Sequence, residues 1–408
     1  MNQKLSAVVL TTLTTICFFL SGCSVSNKNG VSNPPVSSPS HTASPEPVTL
    51  LCAGNESGYY TVEEYNGVNI VTYIDYTTLT QLPLCNRPEC THSDSSCTAY
   101  ALIENMEVPV LAFLENQLVI IQTAPTEASP SKIVTCQMDG SNPNTLCELD
   151  PSTTLRSEMY TDTKNLYVLA STVQSNTPVM ELLQINLQDG SITTLYTFPE
   201  NAEAQLVSGF EHKLGLSLAY EDNSTNEVMY ALELYNIDSQ AMEDPLVNVP
   251  FDTEDGFALF GNVLIHVEGQ DASSNVTFSN LSTGNVITWT PSTLAQEINM
   301  SNSQITIFGL WDDWYRVQFF DSNTGNIVDY HINPSTGEAI PMTLYYENQQ
   351  NVVLVLAQTG DKILVRAAWD MQQSGGDITS LHPVYALMTR DDYLHSNPNY
   401  QYITGLDT

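Results

Sequence analysis

Asn165-Leu-Tyr-Val-Leu-Ala170 is a short aliphatic and aromatic run behind one polar residue, and the turn pair Asp189-Gly190 follows it. Runs of this length and composition read as strands, and an Asp-Gly pair between strands reads as a turn in which glycine supplies a positive φ. Similar runs recur on both sides: Leu118-Val-Ile-Ile121, Val263-Leu-Ile-His-Val267 and Ile363-Leu-Val-Arg366. No helical period of any length interrupts them.

The turn markers show a repeat. They fall at Asp139-Gly140, Asp189-Gly190, Asp238-Ser239, Thr283-Gly284, Thr336-Gly337 and Asp391-Asp392, a spacing of about fifty residues, which is that of propeller blades. Each unit reads as an apolar strand, a second strand of the Asn-Leu-Tyr-Val or Asn-Gln-Leu-Val type, a third strand ending in the marker turn, and a short fourth strand. A partial unit, Tyr59 to Leu84, precedes the first marker, and Tyr400-Gln-Tyr-Ile403 at the end of the chain is placed to pair with it. Such pairing would close a ring and remove open sheet edges. The fold class expected is all-β, a β-propeller of seven blades, with six blades as the near alternative and a pair of β-sandwiches or an open β array as the competing architecture.

Upstream of the repeats the composition changes twice. Lys4 precedes an apolar run from Leu5 to Leu20, which ends in Leu20-Ser21-Gly22-Cys23. An apolar run of about sixteen residues is short for a hydrocarbon core of roughly 30 Å, so it reads as a secretion signal rather than a membrane span. Its last four residues resemble the lipobox of bacterial lipoproteins, which implies cleavage before Cys23 and a diacylglyceryl thioether on that cysteine. Each buried methylene of such chains adds about 0.8 kcal/mol of membrane affinity. Cys17 leaves with the signal. From Ser24 to about Pro47 the chain is Ser, Pro, Asn, Thr and Gly with little apolar content, which cannot offset the entropy of ordering. The expected organisation is a signal peptide over 1–22, a lipidated cysteine and disordered tether over 23–48, and one propeller-like domain over 49–408, facing the outside of the cell.

With 46 acidic against 11 basic residues and a net charge of −35, the chain repels nucleic-acid phosphates, so a nucleic-acid partner is excluded as a reading. The same balance argues against polybasic docking to anionic lipid and leaves anchoring to the lipid on Cys23. A strongly acidic exported surface points to solubility more often than to cation capture.

The densest chemistry is Cys85-Asn-Arg-Pro-Glu-Cys90-Thr-His92-Ser-Asp-Ser-Ser-Cys97. Three thiols and one imidazole in one short loop suit tetrahedral zinc, and a closed four-ligand site is structural because no position stays open for a substrate. The spacing is not that of a common zinc finger. Disulfides are the competing reading, since exported chains meet oxidising conditions, and free or redox-active thiols are the third. In the disulfide reading Cys136 and Cys147, which flank a turn around Ser141-Asn142, form the simplest bridge, and Cys52 pairs with one of the cluster cysteines.

The run Tyr73-Ile-Asp-Tyr76, with Pro83-Leu-Cys85, Glu89-Cys-Thr-His92, Cys97 and Ala99-Tyr100, resembles a widespread group of uncharacterised lipoproteins from anaerobic Gram-positive bacteria. Ala386-Leu-Met-Thr-Arg-Asp-Asp-Tyr393 and Ser396-Asn-Pro-Asn-Tyr400 resemble that group's C-terminal end. The resemblance implies a propeller of six to eight blades, of the YWTD or Tol-associated kind, and a cell-surface address. It implies no activity.

The sequence contains no G-x-S-x-G, H-E-x-x-H, P-loop or dinucleotide glycine pattern, so no catalytic residue is assigned. The pairs Glu63-Glu64, Asp312-Asp313 and Asp391-Asp392 read as solvated surface, because adjacent strand residues point to opposite faces and cannot flank one sugar. Asp321-Ser-Asn-Thr-Gly325 reads as a hairpin turn rather than a calcium loop. His212, His266, His331, His382 and His395 carry no spacing signal. Trp311-Asp-Asp-Trp-Tyr315 groups aromatics with carboxylates, as a sugar-stacking platform would, and makes Trp311, Trp314 and Tyr315 the candidate ligand-binding residues. The function expected is an extracytoplasmic, lipid-anchored binding or scaffold protein for a protein, peptide or glycan partner, with a propeller-type carbohydrate-active enzyme as the alternative and a small-ligand sensor accessory as a weaker third reading.

Overall fold

In the second strand of one four-stranded unit, Leu166, Tyr167, Val168, Leu169 and Ala170 are all fully buried. Alternation sends Tyr167 and Leu169 to one face and Leu166, Val168 and Ala170 to the other, and each set belongs to a different apolar cluster. An antiparallel strand apolar on both faces needs a sheet packed against each of them, and a ring of blades meets that need at every position.

The computed structural model describes residues 23–25 and 48–406, apart from 88, 104–108, 115, 123–129, 175–176, 270–272, 295–302, 322, 347–350 and 375–376. The signal peptide expected over 1–22 and nearly all of the tether lie outside the described residues. The chain forms an all-β propeller of seven blades. Blade 1 comprises Gly58–Tyr65, Val68–Asp75 and Thr80–Pro83, with a bridge from Gly54 to Tyr59 standing for its inner strand. Blade 2 comprises Val110–Leu114, Gln117–Gln122, Lys132–Gln137 and Asn144–Glu148. Blade 3 comprises Thr153–Thr161, Asn165–Gln174, Thr177–Asn186 and Ile192–Thr197, with Thr49–Leu50 pairing on the inner edge of Thr153–Thr161. Blade 4 runs through Glu203–Phe210, Lys213–Asp222 and Glu227–Asn236 to a split outer edge of Ala241–Met242 and Val247–Pro250. Blade 5 comprises Gly256–Phe260, Val263–Val267, Val276–Asn280 and Val286–Trp289. Blade 6 comprises Ser303–Gly309, Tyr315–Asp321, Ile327–Asn333 and Glu338–Met342. Blade 7 comprises Leu354–Thr359, the long hairpin Lys362–Ser374 and Asp377–Thr389, and Gln401–Tyr402.

All six marker turns follow the third strand of their blade; in blade 7 the turn is replaced by the short helix Arg390–Leu394. The turns share a device. Asn186, Asn236, Asn280 and Asn333 end the third strands of blades 3 to 6, and each side-chain oxygen accepts the main-chain N–H groups two and three residues on. This is an Asx turn, which closes the hairpin without drawing on the strand ladder. Asp75 does the same in blade 1, where the left-handed position is Leu79, at φ 55°, instead of glycine.

Ring closure departs from the expected shared blade. Gln401–Tyr402 pairs with the third strand of its own blade 7, and the early strand that joins that sheet is Cys23–Val25, which pairs in parallel with Leu354–Thr359. Among the described residues Thr404 supplies the main-chain pairing to blade 1, donating from its N–H to Leu79 O at 2.8 Å and accepting from Gln81 N at 2.9 Å, and the Thr359 hydroxyl adds a bond to Asn55 O at 3.1 Å. Packing supplies the rest of the seam: Ile74 of blade 1 meets Ala357, Leu364, Tyr385, Leu387 and Ile403. Glu63, expected on the surface, is 9% exposed there and accepts the Tyr385 hydroxyl at 2.5 Å. Burial follows from its strand, whose outward face is covered by blade 7 once the ring closes.

Candidate metal centre and funnel-mouth site

The Cys/His loop connects the outer strand of blade 1 to the inner strand of blade 2. It leaves the sheet at Leu84, whose N–H still donates to Val71 O at 2.9 Å. Left-handed backbone at Glu89 and His92, φ 58° and 54°, reverses the chain twice. Asp94 then accepts the Ser96 N–H at 2.8 Å, and Cys97 opens the single helical turn Thr98–Ala101. Leu84, Cys97, Ala99, Leu102 and Ile103 are buried with Tyr60, Ile70 and Val71 of blade 1 and with Leu118, Ile120 and Cys136 of blade 2. The loop is therefore a wedge between two blades, and the Tyr60 hydroxyl crosses the same boundary to donate to Met138 O at 3.0 Å.

This wedge brings together all four residues expected as ligands. One ligand atom from each of Cys85, Cys90, His92 and Cys97 lies within 4.8 Å of the other three, and His92 Nδ1 is 3.3 Å from Cys97 Sγ. Tetrahedral zinc with Zn–S of about 2.3 Å and Zn–N of about 2.0 Å sets its ligands roughly 3.5–3.8 Å apart, so a small contraction completes the site. The His92 ring is fixed edge-on to Tyr65, with centroids 5.8 Å apart. Burial pushes the Cys97 thiol up to about 12, while the His92 main-chain N–H holds Cys90 below the ordinary thiol range. Cys85, Cys90 and Cys97 are free thiols, and the four residues can hold a metal ion.

Cys136 and Cys147 do not form the expected bridge; both are free thiols. The register pairs Cys147 with Ile133, three residues from Cys136. The two side chains also serve different interfaces, Cys136 between blades 1 and 2 and Cys147 between blades 2 and 3. Side chains on opposite faces of one sheet cannot bridge. Cys52 is joined to none of these five cysteines.

Trp311, Asp312, Asp313 and Trp314 form the turn between the first two strands of blade 6. Trp314 N–H donates to Trp311 O at 2.9 Å, and Asp312 and Asp313 are left-handed at φ 48° and 61°. The tight turn separates the aromatics. Trp311, 8% exposed, packs on Tyr393 of the blade 7 helix beneath the Arg390 guanidinium, and Arg390 also pairs with Asp312. Tyr315, 6% exposed, packs on Phe278 of blade 5 with centroids 4.7 Å apart. Trp314 stays half-buried. Together the turn walls a cavity of about 370 Å³, which Tyr160, Gly209 and Asn262 complete from blades 3, 4 and 5. These residues lie at or beside the ends of the innermost strands, so the cavity is the mouth of the central funnel.

No protein-family model and no curated protein matches the sequence. Solved structures do. An acylaminoacyl peptidase complexed with Z-Gly-Gly-Phe-chloromethyl ketone is 8% identical with a TM-score of 0.51; the match covers 88% of this chain and 52% of the peptidase. The β-propeller domain of the trilobed protease from Pyrococcus furiosus, described as having an open velcro topology, is 8% identical with a TM-score of 0.47 over 89% of this chain and 99% of that domain. TolB from Acinetobacter baumannii is 12% identical with a TM-score of 0.37 over 85% and 78%. At these identities the likeness is one of fold.

Proposed function

We propose that the chain is an exported, lipid-anchored binding protein of the cell surface whose funnel mouth receives a glycan or peptide partner. The cavity walled by Trp311, Asp312, Asp313 and Trp314 carries this reading: it sets a partly exposed indole beside two exposed carboxylates and the Asn262 side chain. An indole face with polar neighbours suits a sugar ring or an aromatic or basic peptide side chain. The lipobox-like Leu20-Ser21-Gly22-Cys23 supplies the anchor, and the resemblance to surface lipoproteins of anaerobic Gram-positive bacteria supports the address. Zinc on Cys85, Cys90, His92 and Cys97 serves as a clasp between blades 1 and 2, because a closed set of four ligands stabilises a loop rather than activating a substrate.

The reading is tested on the full chain by glycan- and peptide-array binding. Trp314→Ala should weaken the strongest partner at least tenfold. Turnover of that partner, or binding indifferent to Trp314, would overturn the reading. Incorporation of labelled palmitate that disappears in Cys23→Ala checks the anchor, and one zinc per chain by elemental analysis, lost in Cys90→Ser, checks the clasp.

A further inference from the structure

The seam that closes the ring holds a second cavity, of about 200 Å³, in which Glu63 and Gln81 of blade 1 face Asp370, His382 and Tyr385 of blade 7, with Ile403 as an apolar wall. Water occupies about 30 Å³ in the liquid, so the space equals roughly seven water molecules and is smaller than a drug-sized pocket. Glu63 is nine-tenths buried. Its nearest donors, the Tyr385 hydroxyl and the Gln81 amide, are neutral, and among the described residues no lysine or arginine lines the cavity. Asp370 and His382 stand opposite each other on the long blade 7 hairpin; neither side chain hydrogen-bonds to another of the described residues, and His382 acts on Glu63 electrostatically. The basic side chain facing Glu63 is the His382 imidazole; a buried carboxylate without a lysine or arginine partner is costly, and a pocket beside it is where an ammonium group can supply one.

We infer that the seam cavity binds a small hydroxylated primary amine of about monosaccharide size, whose ammonium group pairs with the Glu63 carboxylate. Asp370 stands at the open side as a second acceptor for that ammonium group. Gln81, Tyr385 and His382 offer the hydrogen-bonding capacity that hydroxyl groups need, and Ile403 and Val384 cover the carbon face. The groups facing Glu63 are Tyr59 on its own strand, Tyr385 and His382 on the blade 7 hairpin, and Asp370 across the cavity. Burial raises the Glu63 pKa against the opposing pull of Tyr385, Gln81 and His382; a bound ammonium group favours the ionised form, so binding strengthens as pH rises until the amine itself loses its proton. The site is independent of the funnel mouth.

Calorimetric titration of the full chain with glucosamine, and with glucose as its uncharged isostere, tests the inference at pH 6.5, where the amine is protonated. Glucosamine should bind at least tenfold more tightly than glucose, and Glu63→Gln should remove that advantage. Equal affinities, no binding of either sugar, or a preference that survives Glu63→Gln overturns the inference. Should Glu63→Gln fail to fold, Asp370→Asn replaces it. Asp370 is exposed, so the seam survives the change; a fall of threefold or more in glucosamine affinity with glucose unaffected supports the site, and an unchanged affinity overturns it.

Discussion

His331 is fully buried in blade 6, with Nδ1 2.9 Å from Leu394 O and Nε2 without a partner among the described residues. A carbonyl only accepts, so the neutral ring carries its proton on Nδ1. Burial, aided by Arg316, holds the imidazole down to about 4 from its usual 6.5. The unfolded chain therefore takes up this proton near pH 6.5 and the folded chain only near pH 4. Stability is lost as pH falls through that window, by about 3 kcal/mol for this one group at about 1.36 kcal/mol per pH unit. Urea unfolding at pH 7 and pH 4.5 should show a flatter pH dependence in His331→Gln than in the native chain; parallel curves would refute the assignment. At this scale the sequence was nearly silent. Nothing in its neighbourhood marks His331 as buried, and Glu63-Glu64 reads as surface because which of the two faces inward depends on a blade more than three hundred residues away. The Cys/His loop is the exception, since its four ligands are local and need only a short loop to meet.

Among elements, the turns were the most legible part of the fold, because glycine at a left-handed position follows from a local requirement that no distant contact can change. Two of these turns do without glycine: Leu79 takes the left-handed position in blade 1, where it packs at the seam, and Gln240, φ 53°, takes it in blade 4. The glycines themselves differ in what surrounds them. A methyl group on Gly284, φ 73°, meets nothing within 4 Å, so Gly284→Ala should cost only the left-handed strain of about 1–2 kcal/mol. On Gly190, φ 72°, it would sit 2.1 Å from the Leu146 carbonyl oxygen on the outer strand of blade 2. The main chain must then shift, and Gly190→Ala should exceed Gly284→Ala by at least about 2 kcal/mol in denaturant unfolding; equal losses would show that the two turns are equally free. The clasp loop makes its own prediction. On the proposed zinc site, adding zinc to the metal-free chain should slow amide exchange over residues 84–103 and in the facing strands of blades 1 and 2, a chelator should reverse it, and blades 4 and 5 should stay unchanged. What the sequence misassigned at this scale was the Cys136–Cys147 hairpin, read as turning at Ser141-Asn142; the chain turns at Asp139-Gly140, so Thr135 pairs with Asn144 and Cys147 falls opposite Ile133, with the bulge between Ile133 and Val134 shifting it by only one residue.

At the scale of the whole molecule the issue is how blades 1 and 7 stay joined when the early strand Cys23–Val25 adds to the inner edge of blade 7 and, among the described residues, no strand of blade 1 pairs within the blade 7 sheet. Repeat spacing predicted the number of blades, but closure depends on which residues of blades 1 and 7 pack once the chain has come full circle, and no local pattern encodes that. Main-chain hydrogen bonding across the seam rests on Thr404, whose two bonds are worth about 1 kcal/mol each in net terms. The apolar cluster around Ile74, Ala357, Leu364, Leu387 and Ile403 is mostly or fully buried, and removing one large side chain from such a core costs about 2–5 kcal/mol. Packing therefore outweighs strand pairing at the closure. Thr404→Pro, which deletes the donor to Leu79, should accelerate exchange of the Gln81 amide and lower global stability by about 1 kcal/mol. Ile74→Ala should cost two to five times as much, and should open blades 1 and 7 to limited proteolysis while blades 3 to 5 remain protected. If Thr404→Pro proves the more damaging of the two, the ring is held by its hydrogen-bonded end and the seam is a velcro after all.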